Sequence, residues 1–286
     1  MVNFDKTPYE TLNIKLCKHT LKLPRRVSNL SVRAELGRLP MRHSIIVALI
    51  QYYSRSKTLN EHDLLSHAFS SQENIRNHSY KTLSYSEACH ILSSDLDLKD
   101  INVLPDININ NHLKCHGLLI KEASIKRFKS LFQNRTNMIR ENDSKLALYC
   151  SLKKHFVYEK YLDVGCQHLT EFTKFRMSNH WLPIERGRYT KPKTPREERF
   201  CYFCKNNIGT EYHVLMECDD ILMKELRLRF TAKIFKLHPL MEEWPSRSIF
   251  QYAMMGIESN FTRLMADWIT QCNKLNKDKC RPTIAI

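Results

Sequence analysis

The sequence predicts a mainly α-helical chain, with helical bundle-like segments arranged around a small insert organised by a Cys/His cluster. Three observations lead there. Only 6 glycines occur in 286 residues, few for a protein built from tight hairpins or phosphate-cradling loops. Apolar residues recur at helical spacing in several separate stretches. Three cysteines and one histidine between 201 and 218 fall at the spacing of metal ligands.

Taken in order, residues 1–57 are basic and end in an apolar segment. There Ile45, Ile46, Leu49, Ile50 and Tyr53 are spaced for one helical face. Residues 58–117 are polar and weakly periodic, and read as a loop-rich linker with one or two short helices, one of them over Ser84 to Ser94. The run Pro105 to Asn111 reads as a turn. Residues 118–180 form a helical domain. Asp143 or Ser144 is the expected N-cap of a helix carrying Leu146, Tyr149, Cys150, Phe156 and Val157. Gly165 interrupts, and Cys166 to His180 reads as a second helix.

Residues 181–218 hold a connector and the Cys/His cluster. Pro183, Pro192, Pro195 and Gly187 rule out one continuous helix from Leu182 to Arg199, so an extended basic connector is expected. Helical spacing resumes over 219–286. Leu222, Leu226, Phe230 and Ile234 lie four residues apart, and Phe261, Leu264, Met265, Trp268, Ile269 and Cys272 give the cleanest amphipathic pattern.

The cluster reads Cys201-Tyr-Phe-Cys204, then His213, then Cys218. Two residues between cysteines let a tight turn aim both sulfurs at one point. Five positions from His213 to Cys218 make one helical turn or slightly more. The resulting Cys₃His set suits a closed tetrahedral structural zinc site, in which no position is left for water. Lys205, Asn206, Asn207 and Gly209 fall where the chain must reverse, with Gly209 expected at positive φ. Cys89, His90, His112, Cys115 and His116 are also metal-ligating types, but their spacing fits no turn-plus-helix site, and solvated loop histidines are expected there.

The formal net charge is +15, which steers a protein toward polyanions, nucleic acid first among them. Between Lys174 and Arg199 lie eight Lys/Arg against three Glu, with Phe175, Trp181, Tyr189 and Phe200 interleaved. Phosphate neutralisation beside stackable rings is what single-stranded nucleic acid requires. Arg176, Arg186, Arg188, Lys191, Lys193, Arg196 and Arg199 are therefore the candidate RNA- or DNA-binding residues.

Several classes find no footing. The longest strongly apolar run, Ile45 to Ile50, is far short of the ~20 residues a membrane-spanning helix needs, and the first ten residues have no signal-peptide core. An intracellular protein, nuclear or cytoplasmic, is expected, with its 10 cysteines as thiols or metal ligands. No catalytic motif stands out: Asp219-Asp220 is the sole adjacent Asp pair, and it reads as helix N-terminal charge, not as a polymerase metal site. The chain is not expected to be an enzyme by itself.

The series Phe175-Arg-Met-Ser-Asn-His-Trp-Leu-Pro-Ile-Glu-Arg-Gly-Arg188, Pro195-Arg-Glu-Glu-Arg199, Cys201-Tyr-Phe-Cys204 and Glu211-Tyr-His-Val-Leu-Met-Glu-Cys218 resembles a segment near the C-terminus of non-LTR (LINE-type) retrotransposon reverse transcriptases. Lys18-His-Thr-Leu21 and Ser28 to Pro40 resemble that family's stretch just past the polymerase thumb, and Ser144 to Tyr149 and Glu159 to Leu162 resemble further pieces. The resemblance runs with gaps from about residue 14 to 236 and is strongest over 174–218. It implies a zinc knuckle at Cys201, Cys204, His213 and Cys218, and a role in gripping element RNA or target DNA beside a polymerase domain encoded upstream. Polymerase and endonuclease motifs are missing from this sequence, so it would not itself synthesise or cut DNA. The competing expectation is a structural zinc module for protein–protein interaction, in a domesticated or decayed element remnant.

Overall fold

The computed structural model describes residues 8–56, 59–77 and 145–280, with scattered positions between 89 and 137. The described residues are mainly helical and contain no extended strand. The helices are α1 (Pro8–Thr20), α2 (Asn29–Glu35), α3 (Met41–Ser56), α4 (Leu64–Asn77), α5 (Ala147–Leu152), α6 (Leu169–Arg176), α7 (Pro183–Arg186), α8 (Ile221–Leu237), α9 (Ser246–Met255) and α10 (Ser259–Cys280). No helix among them is long and apolar enough to cross a membrane. The chain divides into two compact units, one of Met1–Asn13 with Leu39–Phe132, the other of Ile14–Arg38 with Gln133–Ile286.

In the first unit α3 packs on α4. Tyr53 is fully buried, its ring meets Phe69 edge-on at 5.2 Å, and its hydroxyl donates to Glu73 Oε1 at 2.9 Å. The start of α3 is held by Met41 N–H donating to Glu10 Oε2 at 2.9 Å. Helix α4 lies inside the stretch read as a loop-rich linker with one or two short helices, at a position the sequence reading left open. It is rich in Ser, Asn and Gln, Leu64 and Leu65 are exposed, and its few apolar residues do not repeat at one helical spacing. The expected Ser84–Ser94 helix and the Pro105–Asn111 turn lie largely or wholly outside the described residues.

The second unit carries the main core. Helix α10 packs against α6, α8 and α9. Phe261, Met265, Trp268, Ile269 and Cys272 are all buried, as the amphipathic pattern requires, and Trp268 stacks on Phe230 of α8 at 4.0 Å. On α8 the expected stripe is buried at Phe230 and Ile234 and partly at Leu226; only its first position differs, Met223 being buried where Leu222 is 42% exposed. Asp220 caps α8, accepting from Leu222 N at 3.0 Å and Met223 N at 3.3 Å, so the Asp pair serves the helix start.

Two helices are shorter than their periodicity suggested. Helix α5 stops at Leu152, where Lys153 turns extended with φ −90° and ψ 101°, so Phe156 and Val157 lie beyond it. Helix α6 ends at Arg176 because Ser178 takes φ 52°, and Asn179 N–H closes back on Lys174 O at 2.9 Å. The segment Ile14–Arg38 joins this core through α2. Tyr149 OH donates to Ser31 O at 3.0 Å, and Gly37, at φ 58°, lies so close to Tyr158 N that an added Cβ would sit 2.5 Å away. Only glycine meets both demands.

At the centre of this unit lies a buried ionic network. Arg176 and Glu35 are 1% and 0% exposed and pair at 2.9 Å through Nε and Oε1. Arg176 also donates to Met254 O, lies 3.6 Å from Glu159 Oε2 and stacks over Tyr161 at 4.9 Å. Tyr161 OH donates to the same Glu35 oxygen at 2.5 Å. Burial and then the Glu35 carboxylate push the Tyr149 and Tyr161 hydroxyls well above their ordinary range.

Candidate metal centre

Residues 199–209 fold back on themselves as a short ribbon. Gly209 N–H donates to Arg199 O at 2.8 Å, Cys201 N–H donates to Asn207 O at 2.8 Å, and Phe200 bridges Ile208 antiparallel. Cys201 and Cys204 sit at its turn, where Lys205 N–H reaches Cys201 O at 3.1 Å. The left-handed residue of this turn is Lys205, at φ 57°. Gly209 does not take positive φ. It is required because Pro183 presses on it, leaving only 2.5 Å for a Cβ; its carbonyl accepts Ile184 N–H at 3.2 Å, which holds the two segments together.

The other two ligand positions flank a wide turn over His213–Glu217. Thr210 starts it, its hydroxyl accepting His213 N–H at 3.1 Å. It closes with Cys218 N–H on His213 O at 2.8 Å, an i→i+5 bond. That bond is why a separation of five puts both side chains on one side. Val214, Leu215 and Met216 are buried in the core, anchoring the turn.

The ribbon and the turn bring all four donors together: Cys201 Sγ, Cys204 Sγ, a His213 ring nitrogen and Cys218 Sγ lie within 4.8 Å of one another. Cys201 Sγ is 3.7 Å from Cys218 Sγ, and Cys204 Sγ is 3.3 Å from His213 Nε2. The group could hold a metal ion. Three of its members are buried and Cys204 is half-buried. Contact with Cys218 pulls the Cys201 thiol below its ordinary value, whereas the same contact and burial push Cys218 up. A bound cation would displace the thiol protons. His213 Nδ1 points away from the sulfurs, 3.9 Å from Glu217 Oε2, beyond hydrogen-bond reach. Of the second cluster considered from sequence, Cys89 is buried with its thiol 3.9 Å from Leu49 O; His90, His112, Cys115 and His116 lie outside the described residues.

The candidate nucleic-acid residues divide by environment. Arg176 is the core cation described above, so it is not free to meet phosphate. Arg199 is 6% exposed and donates to Thr194 O at 2.9 Å and 3.0 Å and to Ile184 O at 2.9 Å. It pins the connector to the ribbon. These two assignments are corrected: both arginines satisfy buried acceptors whose partners are distant in sequence or are main-chain carbonyls, which a charge count does not register. Arg186 is half-buried with its guanidinium 4.3 Å over Trp181, and Arg188 pairs with Glu185 at 3.2 Å. Arg196 is half-buried, while Lys191 and Lys193 are exposed. The connector is also less extended than expected, since Pro183–Arg186 form a helical turn and Thr194 N–H bonds back to Gly187 O at 3.1 Å.

Sequence reasoning did not single out His180 and Glu211 as a pair. His180 Nε2 lies 3.1 Å from Glu211 Oε1. Burial works to raise the Glu211 carboxyl, but the bond and charge of His180 outweigh it and leave the carboxyl below its ordinary value. The pair ties the end of α6 to the segment that carries His213. No protein-family model matches the chain, and neither a curated protein nor a solved structure does.

Proposed function

We propose that the chain binds one zinc ion through Cys201, Cys204, His213 and Cys218, and that it grips single-stranded nucleic acid as the non-catalytic, post-polymerase region of a non-LTR retrotransposon reverse transcriptase. The donor geometry carries the metal half. A tetrahedron with Zn–S of ~2.3 Å and Zn–N of ~2.0 Å has S···S edges of about 3.8 Å and S···N edges of about 3.5 Å. The observed 3.7 Å and 3.3 Å are close to both. Three thiolates and an imidazole suit zinc among the common divalent ions, and four protein ligands make its role structural.

The nucleic-acid half is supported by the loop beside the ribbon, where Lys191 and Lys193 are exposed next to the half-exposed ring of Tyr189. The motif series around this loop and the ribbon supports the family reading. The test is metal content by native mass spectrometry, then fluorescence anisotropy of the zinc-loaded chain with single-stranded RNA across a salt series. One zinc per chain is expected, with a log–log salt slope that becomes shallower by about 1.4 when Lys191 and Lys193 become Ser, at ~0.7 per phosphate contact. Absence of RNA binding at low salt defeats the nucleic-acid half. It would favour the interaction-module reading, for which the exposed Ile221, Leu228 and Leu240 offer an apolar surface.

A further inference from the structure

A cleft of about 420 Å³ opens in the second unit, away from the Cys/His cluster, and Lys22, Arg26, Glu171, Lys174, Asn179 and Trp181 help to line it. Its size falls within the range of small-ligand sites. Its charge is unbalanced. Glu171 is the sole acid of the lining, and both its oxygens are engaged, one by Lys174 Nζ at 2.7 Å and one by Asn273 Nδ2 at 3.0 Å. Among the described residues, neither Lys22 nor Arg26 meets a carboxylate. Trp181, part of the lining, is faced by two further cations, the Arg186 guanidinium at 4.3 Å and Lys277 Nζ at 5.5 Å from its ring.

The two uncompensated cations are positioned by the chain. Arg26 donates from Nε to Asn179 Oδ1 at 2.9 Å and lies 5.3 Å over the Tyr189 ring, which fixes the plane of its guanidinium and leaves its terminal nitrogens free of these bonds. Lys22 holds the left-handed position after α1, at φ 51°, closing the helix with N–H donation to His19 O at 2.9 Å. That conformation favours Gly or Asn, so a lysine there is locally costly and places its charge at the cleft. Two cations that line one cleft without a counter-ion suit an anion, and concave walls focus their field.

We propose that this cleft binds a phosphate group of a nucleic-acid strand, with Lys22 and Arg26 as its ligands. The proposal rests on the nucleic-acid reading above and names a second grip for it, whose cations Lys22 and Arg26 are not those of the Lys191/Lys193 loop, though Arg26 adjoins that loop at Tyr189. The same phosphate chemistry occurs in a free nucleotide, and the experiment separates the two sources. The zinc-loaded full chain, Lys22→Ser/Arg26→Ser and Arg26→Lys are compared by anisotropy with a labelled single-stranded RNA, and by calorimetry with AMP and with inorganic phosphate. Zinc content and circular dichroism serve as folding controls.

For the double variant the expected result is a roughly tenfold weaker RNA complex and a salt slope shallower by about 1.4, with the slope retained in Arg26→Lys. Unchanged affinity and slope in a folded double variant overturn the cleft while leaving the loop reading intact. If the parent chain does not bind RNA, AMP or phosphate binding that depends on Lys22 and Arg26 supports the site as one for free phosphates. Binding of neither overturns it.

Discussion

Replacing Arg176 with Met removes the charge at the centre of the second unit while keeping most of its volume. Glu35, 0% exposed, would keep one donor, Tyr161 OH on Oε1, and its Oε2 has no hydrogen-bond partner to begin with. A buried carboxylate stripped of its cation costs about 3–5 kcal/mol. The Met254 carbonyl that accepts from Arg176 would be orphaned as well, which places the loss at the upper end. The assay is urea unfolding followed by tryptophan fluorescence. Trp181, Trp244 and Trp268 are all the tryptophans of the chain, and all lie in the second unit, so the signal reads that unit alone. With a slope of about 2–3 kcal/mol per M, a loss near ~5 kcal/mol lowers the midpoint by roughly 2 M. Adding Glu35→Leu should return much of it, since a buried pair replaced together by apolar groups is often neutral or better. A midpoint shift below about 0.3 M for the single variant would refute the reasoning, as would a double variant no more stable than the single one.

Two further outcomes are expected. Cys204→Ser, or removal of metal by a chelator, should abolish zinc retention and hydrogen-exchange protection over 200–218 while α8 and α10 persist; unchanged protection there would sink the structural-metal role. Alkaline titration should leave Tyr149 and Tyr161 silent until the unit unfolds. Their hydroxyls are raised in the folded chain, so the unfolded state loses those protons first. Stability is therefore complete below the unfolded value of about 10 and falls as pH rises beyond it. The chain has 12 tyrosines, so the comparison is with a Tyr149→Phe/Tyr161→Phe variant: loss of two tyrosines from the reversible 295 nm transition of the folded chain would contradict this.

What could be read from the sequence was what depends on near neighbours. The Cys201-x-x-Cys204 turn and the five-residue step from His213 to Cys218 are local geometries, so the four donors were identifiable before any fold. The stripe on α10 was legible because five apolar side chains share one face over three turns. Arg176 was not legible: its partner Glu35 is 141 residues away, and no local pattern distinguishes a buried arginine from a solvated one. Arg199 misled in the same way, its acceptors being carbonyls, which carry no sequence identity. Helix α4 could not be placed within its stretch because exposed helices need little apolar surface, and the left-handed Lys205 was missed because that conformation is a product of the ribbon that surrounds it.

The i→i+5 turn between His213 and Cys218 also sets how the spacing of this motif can vary. In an α-helix each residue advances about 100°, so a step of four brings the second ligand back to within ~40° of the first. A chain shorter by one residue there could close as an ordinary helical turn and still present both ligands together. A chain longer by one would carry the cysteine about 240° around the axis, to the far side. On this geometry a gap shorter by one residue is expected to keep both ligands together more readily than a gap longer by one.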